Sequence, residues 1–455
     1  MHFSVPDTEE RADEAGITYV AYNIHVNGAF HCRVRYSQLH ALNEQLKKDI
    51  GSVLPFHFPP KRLLSLTTSQ VEQRREQLER YIQCVSQDAT LGTSEVFHDF
   101  LRRAQQETQQ VPTEDVHLVV SLPNGHLVEL DVRSTDRTEQ ILQAALVRFK
   151  LSEELLFYFA LFLTQQHDGH ISFIRKLQEF ELPYISITSL KNSDFNIVLR
   201  KSYWDTAYDE DVMEDRVGLD LLYIQAATDI DHGWILASKE QHKQLQSLQE
   251  KGSKKEYIRR AQTLKYYGYI QFDPCITDFP EKGCKVIVSA GNKELNFRVQ
   301  LPNDQVKEGS FKVTRMRCWR VTSCMHTTNG VTPTTVTSKM DMHLELAFEY
   351  LMSKDKLQWI SISSQQAIMM SICLQSMVDE LMLKKSGGKI KKPTNKNSKA
   401  LSNKLENKGG SLFAEQVQQT PLAAVGFRKS GFGGGRGGSS CVGNDAFEGI
   451  GDDDL

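Results

Sequence analysis

Arg33 and Arg35 stand two apart in "CRVRYS", a spacing that turns both guanidinium groups to one side of an extended strand. Like charges so placed need water or an anion between them. Tyr36 and Ser37 follow at once. Lys61 comes next, behind paired prolines in "HFPPKRLL", and Arg74 falls inside a helical apolar stripe formed by Val71, Leu78, Tyr81, Ile82 and Val85, with Arg75 at its edge. An unpaired inward charge costs on the order of several kcal/mol, so Arg74 asks for an anionic partner. Guanidinium forks grip phosphate in bidentate fashion, and a helix starting near Ser37 would add free backbone amides to the same anion. The chemistry suggested is phosphate recognition.

The elements that must position these groups are legible. From Thr18 to Tyr36 apolar and polar residues alternate around Asn27-Gly28, a pair that favours a tight hairpin turn. Leu39, Leu42, Leu46 and Ile50 then recur at helical spacing, with Ser37 as the expected cap. A strand-to-helix junction is therefore expected at Arg35 to Ser37.

Composition narrows the function. A chain of 455 residues with 40% hydrophobic content holds two or three domains, and a formal net charge of -3 excludes retention on nucleic acid by bulk charge. Any anion site must be local. Eight scattered cysteines form no Cys-x-x-Cys pair, the acidic start has no secretory apolar core, and no apolar run reaches membrane-spanning length; a soluble cytosolic protein is expected. No catalytic nucleophile motif or metal-ligand spacing is present, so no enzyme, cofactor or metal is expected. The acidic run Asp209, Glu210, Asp211 reads as a solvated loop. A Gly-x-Gly-x-x-Gly match at Gly433, Gly435 and Gly438 has neither a preceding strand nor a following helix and reads as linker, and its single arginine offers little to RNA.

Further along, "VHLVVSLPNGHLVELDV", "RTEQILQAALVRF" and "LFYFALFL" give strand, strand, helix and strand, an order that resembles ubiquitin. Trp204 to about Tyr269 is mainly helical. "KVIVSAG", "LNFRVQL", "FKVTRMRCWRVT", "MHLELAFEY" and "LQWISI" then read as successive strands closed by a helix from about Gln365 to Lys384. Between Ile368 and Leu383 that helix is apolar all round, so one sheet cannot cover it and a second apolar contact is implied, either a bound peptide or another lobe. Beyond Lys385 the chain is rich in Lys, Asn, Ser and Gly and reads as a disordered tail.

"RYS" at 35–37, "PPK" at 59–61 and Arg74 together resemble the lipid-binding signature of PX domains. That resemblance implies that Arg35 clamps the 3-phosphate of phosphatidylinositol 3-phosphate, Tyr36 lies against the inositol ring, Lys61 meets the 1-phosphate and Arg74 holds ring hydroxyls, with Ser37 counted among the lipid-binding residues. The three following units resemble the lobes of a FERM module, the last with a phosphotyrosine-binding (PTB)-type fold. Strings such as "VRYSQL", "RRAQQETQQVPTE", "RKLQEFELPY", "FEYLMSKD" and "AIMMSICLQSMVDELM" are similar to the PX-FERM sorting nexins. The expected fold is thus an α+β multidomain chain: a PX domain at 1–110, ubiquitin-like (112–202), helical (203–272) and PTB-like (273–385) FERM lobes, and a disordered tail at 386–455 with a terminal docking motif.

The resemblance also implies partners. Such proteins bind Asn-Pro-x-Tyr and Asn-x-x-Tyr motifs in receptor tails (LDL-receptor family, integrin beta, P-selectin and amyloid precursor protein types) by strand addition. The matching contacts are Trp319, Val378 and Met382, the last two sharing one helix face. For the helix at 368–383 the resemblance favours the peptide. The terminus Ile450, Gly451, Asp452, Asp453, Asp454, Leu455 is similar to the docking site for Retriever within the Commander complex, with aspartate where glutamate is usual. A cytoplasmic monomer, peripheral on the cytosolic face of early or recycling endosomes, is implied. Asn444-Asp445-Ala446-Phe447 fits an Asn-x-x-Phe pattern, so the tail could occupy its own groove. The rival reading is a phosphoinositide-binding scaffold between membrane and cytoskeleton, which predicts actin association and no dependence on an asparagine motif.

Overall fold

The computed structural model describes residues 1–388 apart from 51–53, 55, 63–64, 191–193, 302–304, 326–341 and 355, together with residues 390 and 442–443. In the PX domain, β1 (Phe3–Ser4), β2 (Thr8–Ala12), β3 (Thr18–Val26) and β4 (Ala29–Arg35) form one sheet, with β3 pairing all three others. Asn27 and Gly28 both take positive φ in the predicted turn. Three helices pack on the sheet: α1 (Tyr36–Ile50), α2 (Thr68–Gln87) and α3 (Glu95–Gln109). Strand β2 was not legible in the sequence. It comes from the acidic start, and there it supplies counter-charges: Glu9 lies 3.1 Å from Arg33. Arg33 thus finds an internal anion.

The second unit is a sheet of order β6-β5-β9-β7-β8, built from β5 (Asp115–Ser121), β6 (Leu127–Arg133), β7 (Phe159–His167), β8 (His170–Lys176) and β9 (Phe195–Lys201), with helices α4 (Thr138–Phe149) and α5 (Pro183–Thr188). Helices α6 (Tyr208–Met213), α7 (Arg216–Asp231), α8 (Lys239–Glu250) and α9 (Lys254–Gln262) form the third. Asp209, expected in a solvated loop, is wholly buried on α6. It accepts hydrogen bonds from Lys201 (3.1 Å), Tyr203 (2.5 Å), Gln262 (2.8 Å) and Tyr267 (2.8 Å), and tethers the helical lobe to the end of β9. Charge compensation, rather than exposure, explains an acid at this point.

The last unit carries β10 (Ile270–Gln271), β11 (Cys275–Thr277), β12 (Cys284–Gly291), β13 (Glu294–Gln300), β14 (Val306–Lys312), β15 (Met316–Met325), β16 (Met342–Ser353), β17 (Lys356–Ser363) and helix α10 (Ala367–Lys385). Where one strand was expected over "FKVTRMRCWRVT", the chain makes two, separated by a 3-10 turn at Val313–Arg315. That turn is what carries the chain from β14, at one end of the sheet, to β15 near the other.

The units share cores. Phe180, from the loop between β8 and α5, is 1% exposed and belongs to the PX core, with Phe3 and His98 around it. Beside it the Gln105 amide bridges α3 to Ser186 (3.0 Å) and to the Leu182 backbone (2.9 Å).

Candidate functional site

Strand β4 ends on Arg35 and α1 begins on Tyr36, one residue earlier than the sequence suggested. Ser37 therefore lies exposed in the first helical turn and is not the cap; the Gln38 side chain accepts the Arg35 backbone N–H at 2.7 Å. The Arg35 guanidinium rests 3.5 Å from the centre of the Tyr19 ring and 3.7 Å from Asp13, which neutralises it only loosely.

Tyr36 organises the rest. Its hydroxyl donates to the Pro59 carbonyl at 2.8 Å, and its ring packs beside Phe58 and under the guanidinium of Arg74, 4.3 Å from the ring centre. Arg74 in turn donates to the Pro60 carbonyl at 3.1 Å. The proline loop is thereby tied at both carbonyls, and it presents Lys61, which is exposed. Burial raises the Tyr36 phenol pKa, partly offset by Arg74, so the hydroxyl stays protonated as the donor this geometry needs. Of the residues named from the sequence, Arg74 stacks on Tyr36, Arg35 adjoins Tyr36 in the chain with its guanidinium against Tyr19 and Asp13, and Lys61 follows the Pro59-Pro60 carbonyls that Tyr36 and Arg74 hold. Among the described residues no carboxylate lies within ion-pair distance of Arg74 or Lys61, so an anion there would meet uncompensated charge.

Arg75, expected only at the stripe's edge, is the more deeply placed of the two: its side chain is 11% exposed and bonds to the Val5 carbonyl, Glu72 and Glu79.

The second candidate site lies at β15 and α10. Strand β15 pairs β16 on one side; on the other it pairs β18 (Val442–Gly443), with Cys318 opposite Gly443 and Trp319 opposite Val442. A segment of the tail adds to the sheet at the edge where a peptide strand was expected. Trp319 is wholly buried and donates its indole N–H to Ser371 of α10 at 3.0 Å, so it forms the floor of this edge rather than an open contact. Val378 is 6% exposed within the core of the lobe, while Met382, one turn on, is 39% exposed. The motif at Asn444–Phe447 and the terminus Ile450–Leu455 lie outside the described residues.

The second contact of α10 is another lobe. Ile368 packs so closely on Gly28 of the PX hairpin that a Cβ there would come within 2.8 Å. Gln366 reaches the Phe173 carbonyl at 2.8 Å, Ser376 takes the Trp204 indole N–H at 3.0 Å, and Glu380 accepts the backbone N–H groups of Trp204 and Asp205 at 2.8 and 2.7 Å. This corrects the expectation that a peptide supplies the helix's outer cover: neighbouring lobes bury it, and among the described residues its exposed positions, Met382 included, lie toward its end. Burial raises the pKa of the Glu380 carboxyl, with its two backbone donors pulling the other way.

Family models match nearly the whole described chain: the PX domain at residues 22–104, the F1 lobe of the sorting nexin 17/27/31 FERM domain at 116–204, the F2 lobe of the sorting nexin 17/31 FERM domain at 205–265, and the sorting nexin 17 FERM C-terminal domain at 268–382. Sorting nexin-17 of Danio rerio is 61% identical over 100% of both chains, and that of Homo sapiens 57% over 100% of both. The chain belongs to the sorting nexin-17 family. Sorting nexin-31 of Homo sapiens, at 38% identity over 84% of this chain and 86% of its own, is more distant.

Membership in this family, with PX and FERM domains in one chain, supports an endosomal sorting adaptor in which the PX domain implies phosphoinositide binding and the FERM module receptor-tail binding. No described helix is long and apolar enough to cross a membrane. Sequence reasoning missed Ser371 and His2, which lie 2.8 Å apart beside Trp319. Neither carries a local signal, because their meeting depends on how the domains dock.

Proposed function

We propose that the protein is a non-enzymatic cargo adaptor. It binds phosphatidylinositol 3-phosphate on endosomal membranes through Arg35, Tyr36, Lys61 and Arg74, with Ser37 at the rim, and takes Asn-Pro-x-Tyr or Asn-x-x-Tyr receptor tails along β15, with Trp319 beneath and Val378 and Met382 on α10. Its terminus, Ile450 to Leu455, hands the cargo to Retriever for return to the plasma membrane and away from lysosomal degradation.

The observation that carries this reading is the strand Val442–Gly443 paired with Cys318–Trp319. An edge strand presents unpaired N–H and C=O groups, and one already completed by a short extended segment is chemically fit for strand addition. The Asn-x-x-Phe stretch that follows at once suggests that the tail holds the cargo position by mimicry.

The test is calorimetric titration of an Asn-Pro-x-Tyr receptor-tail peptide into the full chain, with Met382→Asp and an Asn→Ala peptide as controls. Met382 is exposed enough for the change to spare the fold. Saturable binding weakened tenfold or more by either control is the expected outcome. No binding by folded protein would reject the adaptor reading in favour of a FERM-type scaffold.

A further inference from the structure

The first strand of the chain links the two candidate sites. His2 is clamped at both backbone groups by Asn27: its N–H donates to the Asn27 side chain at 3.0 Å and its carbonyl accepts the Asn27 N–H at 2.8 Å. The strand that follows is fastened to α2, where Gln83 accepts from Phe3 N–H (2.6 Å), Glu79 from Val5 N–H (2.8 Å), and Arg75 donates to the Val5 carbonyl. Helix α2 is also the helix that carries Arg74. From this fixed position the His2 imidazole reaches across the domain boundary to Ser371, with Nε2 2.8 Å from Oγ.

Ser371 is 1% exposed and Trp319 is wholly buried. An indole N–H can only donate, so the Ser371 oxygen accepts from Trp319, and its remaining capacity meets His2 Nε2, which takes the hydroxyl proton or donates to the second lone pair according to the imidazole tautomer. The three groups form one hydrogen-bonded relay linking Trp319, Ser371 and His2. Without His2 the buried hydroxyl loses one of its two side-chain partners, and the Trp319 indole donates to an oxygen no longer fixed from the PX side.

We infer that His2 is a positioning residue for the peptide-binding edge: the PX domain, through His2, fixes the Ser371 hydroxyl and with it the indole beneath β15. The inference rests on the peptide-site reading above. It makes the docked PX strand part of the recognition apparatus of the FERM module.

The experiment uses the full chain labelled with 15N at tryptophan, in wild type, His2→Ala and His2→Gln; Gln keeps an acceptor at similar reach. The Trp319 indole resonance is assigned with Trp319→Phe. His2→Ala is expected to shift that resonance and speed its solvent exchange, leaving Trp359 unmoved, and to weaken Asn-Pro-x-Tyr peptide binding roughly three- to tenfold, as for loss of one hydrogen bond. His2→Gln is expected to restore both. An unmoved Trp319 resonance in His2→Ala, or a loss that His2→Gln does not recover, overturns the inference. Because the indole readout needs no peptide, failure of wild type to bind peptide would count against the peptide-site reading and not against the relay.

Discussion

Phe180, from the ubiquitin-like lobe, meets His31, from the PX sheet, edge to face with 5.4 Å between ring centres. Each ring comes from a different domain, yet both lie in one core. Phe180→Ala should therefore destabilise the PX domain and its neighbour together, by about 3–5 kcal/mol for a deleted buried aromatic. Hydrogen exchange read by mass spectrometry would check this: loss of protection confined to residues 177–190 would contradict a shared core.

Lipid binding should depend on the pieces around Tyr36 unequally. Arg35→Ala is expected to cost roughly 2 kcal/mol of affinity for phosphatidylinositol 3-phosphate vesicles, as for a charge-assisted hydrogen-bond pair. Arg74→Lys should be nearly as damaging as Arg74→Ala, because a lysine cannot stack flat on Tyr36 while donating to the Pro60 carbonyl. Vesicle sedimentation over a lipid series measures all three, and full recovery with lysine would show that charge alone matters.

Stability should fall on mild acidification. Burial depresses the pKa of His31 to about 4 and that of His2 to about 3, so both are neutral when folded, while unfolded histidines take up protons below about 6.5. Their contribution is present above pH 6.5 and is lost as pH falls toward 4. Glu79 works in the opposite sense: burial raises its pKa to about 7, so its contribution is lost as pH rises from 4.5 to 7. Urea unfolding across this range should show a shallower pH slope for His31→Gln and a steeper one for Glu79→Gln.

Asp209→Asn should be costly although it is nearly isosteric. It leaves Lys201, buried between Tyr203 and Tyr267, without its counter-charge, and removing one partner of a buried pair typically costs about 3–5 kcal/mol. Thermal melting of the full chain gives the size, and the double change with Lys201→Met should recover much of the loss.

Deleting residues 442–455 removes the segment that pairs with β15. Peptide association with the truncated chain should be faster than with the full chain, while dissociation is unchanged. Stopped-flow mixing with a fluorescent Asn-Pro-x-Tyr peptide separates the two rates, and equal association rates would exclude competition by the tail.

What the sequence could and could not announce follows from the range of the interactions. The Asn27-Gly28 turn, the Tyr36 junction and the amphipathic spacing of α2 depend on neighbours in the chain, and all were readable. Strand β2 was not, because its charged residues, Glu9 serving Arg33 across the sheet among them, break the alternation that marks a strand. Asp209 looked solvated because its four donors come from three other segments. The apolar surface of α10 did announce a second partner; that the partner is a set of lobes, with Gly28 against Ile368, is a matter of docking that no local pattern encodes.

Phe180, Gln105, His2 and Gly28 join the PX domain to the FERM module through a shared core, hydrogen bonds and a close backbone approach. With a headgroup held at Arg35, as proposed, these contacts would couple the tilt of the PX domain on the bilayer to the height at which β15 stands above it. A receptor anchored in that same bilayer must span this gap before its asparagine motif can reach the edge. On the proposed adaptor reading the molecule would act as a ruler, with the number of residues between a receptor's membrane span and its motif a criterion of selection alongside the motif itself.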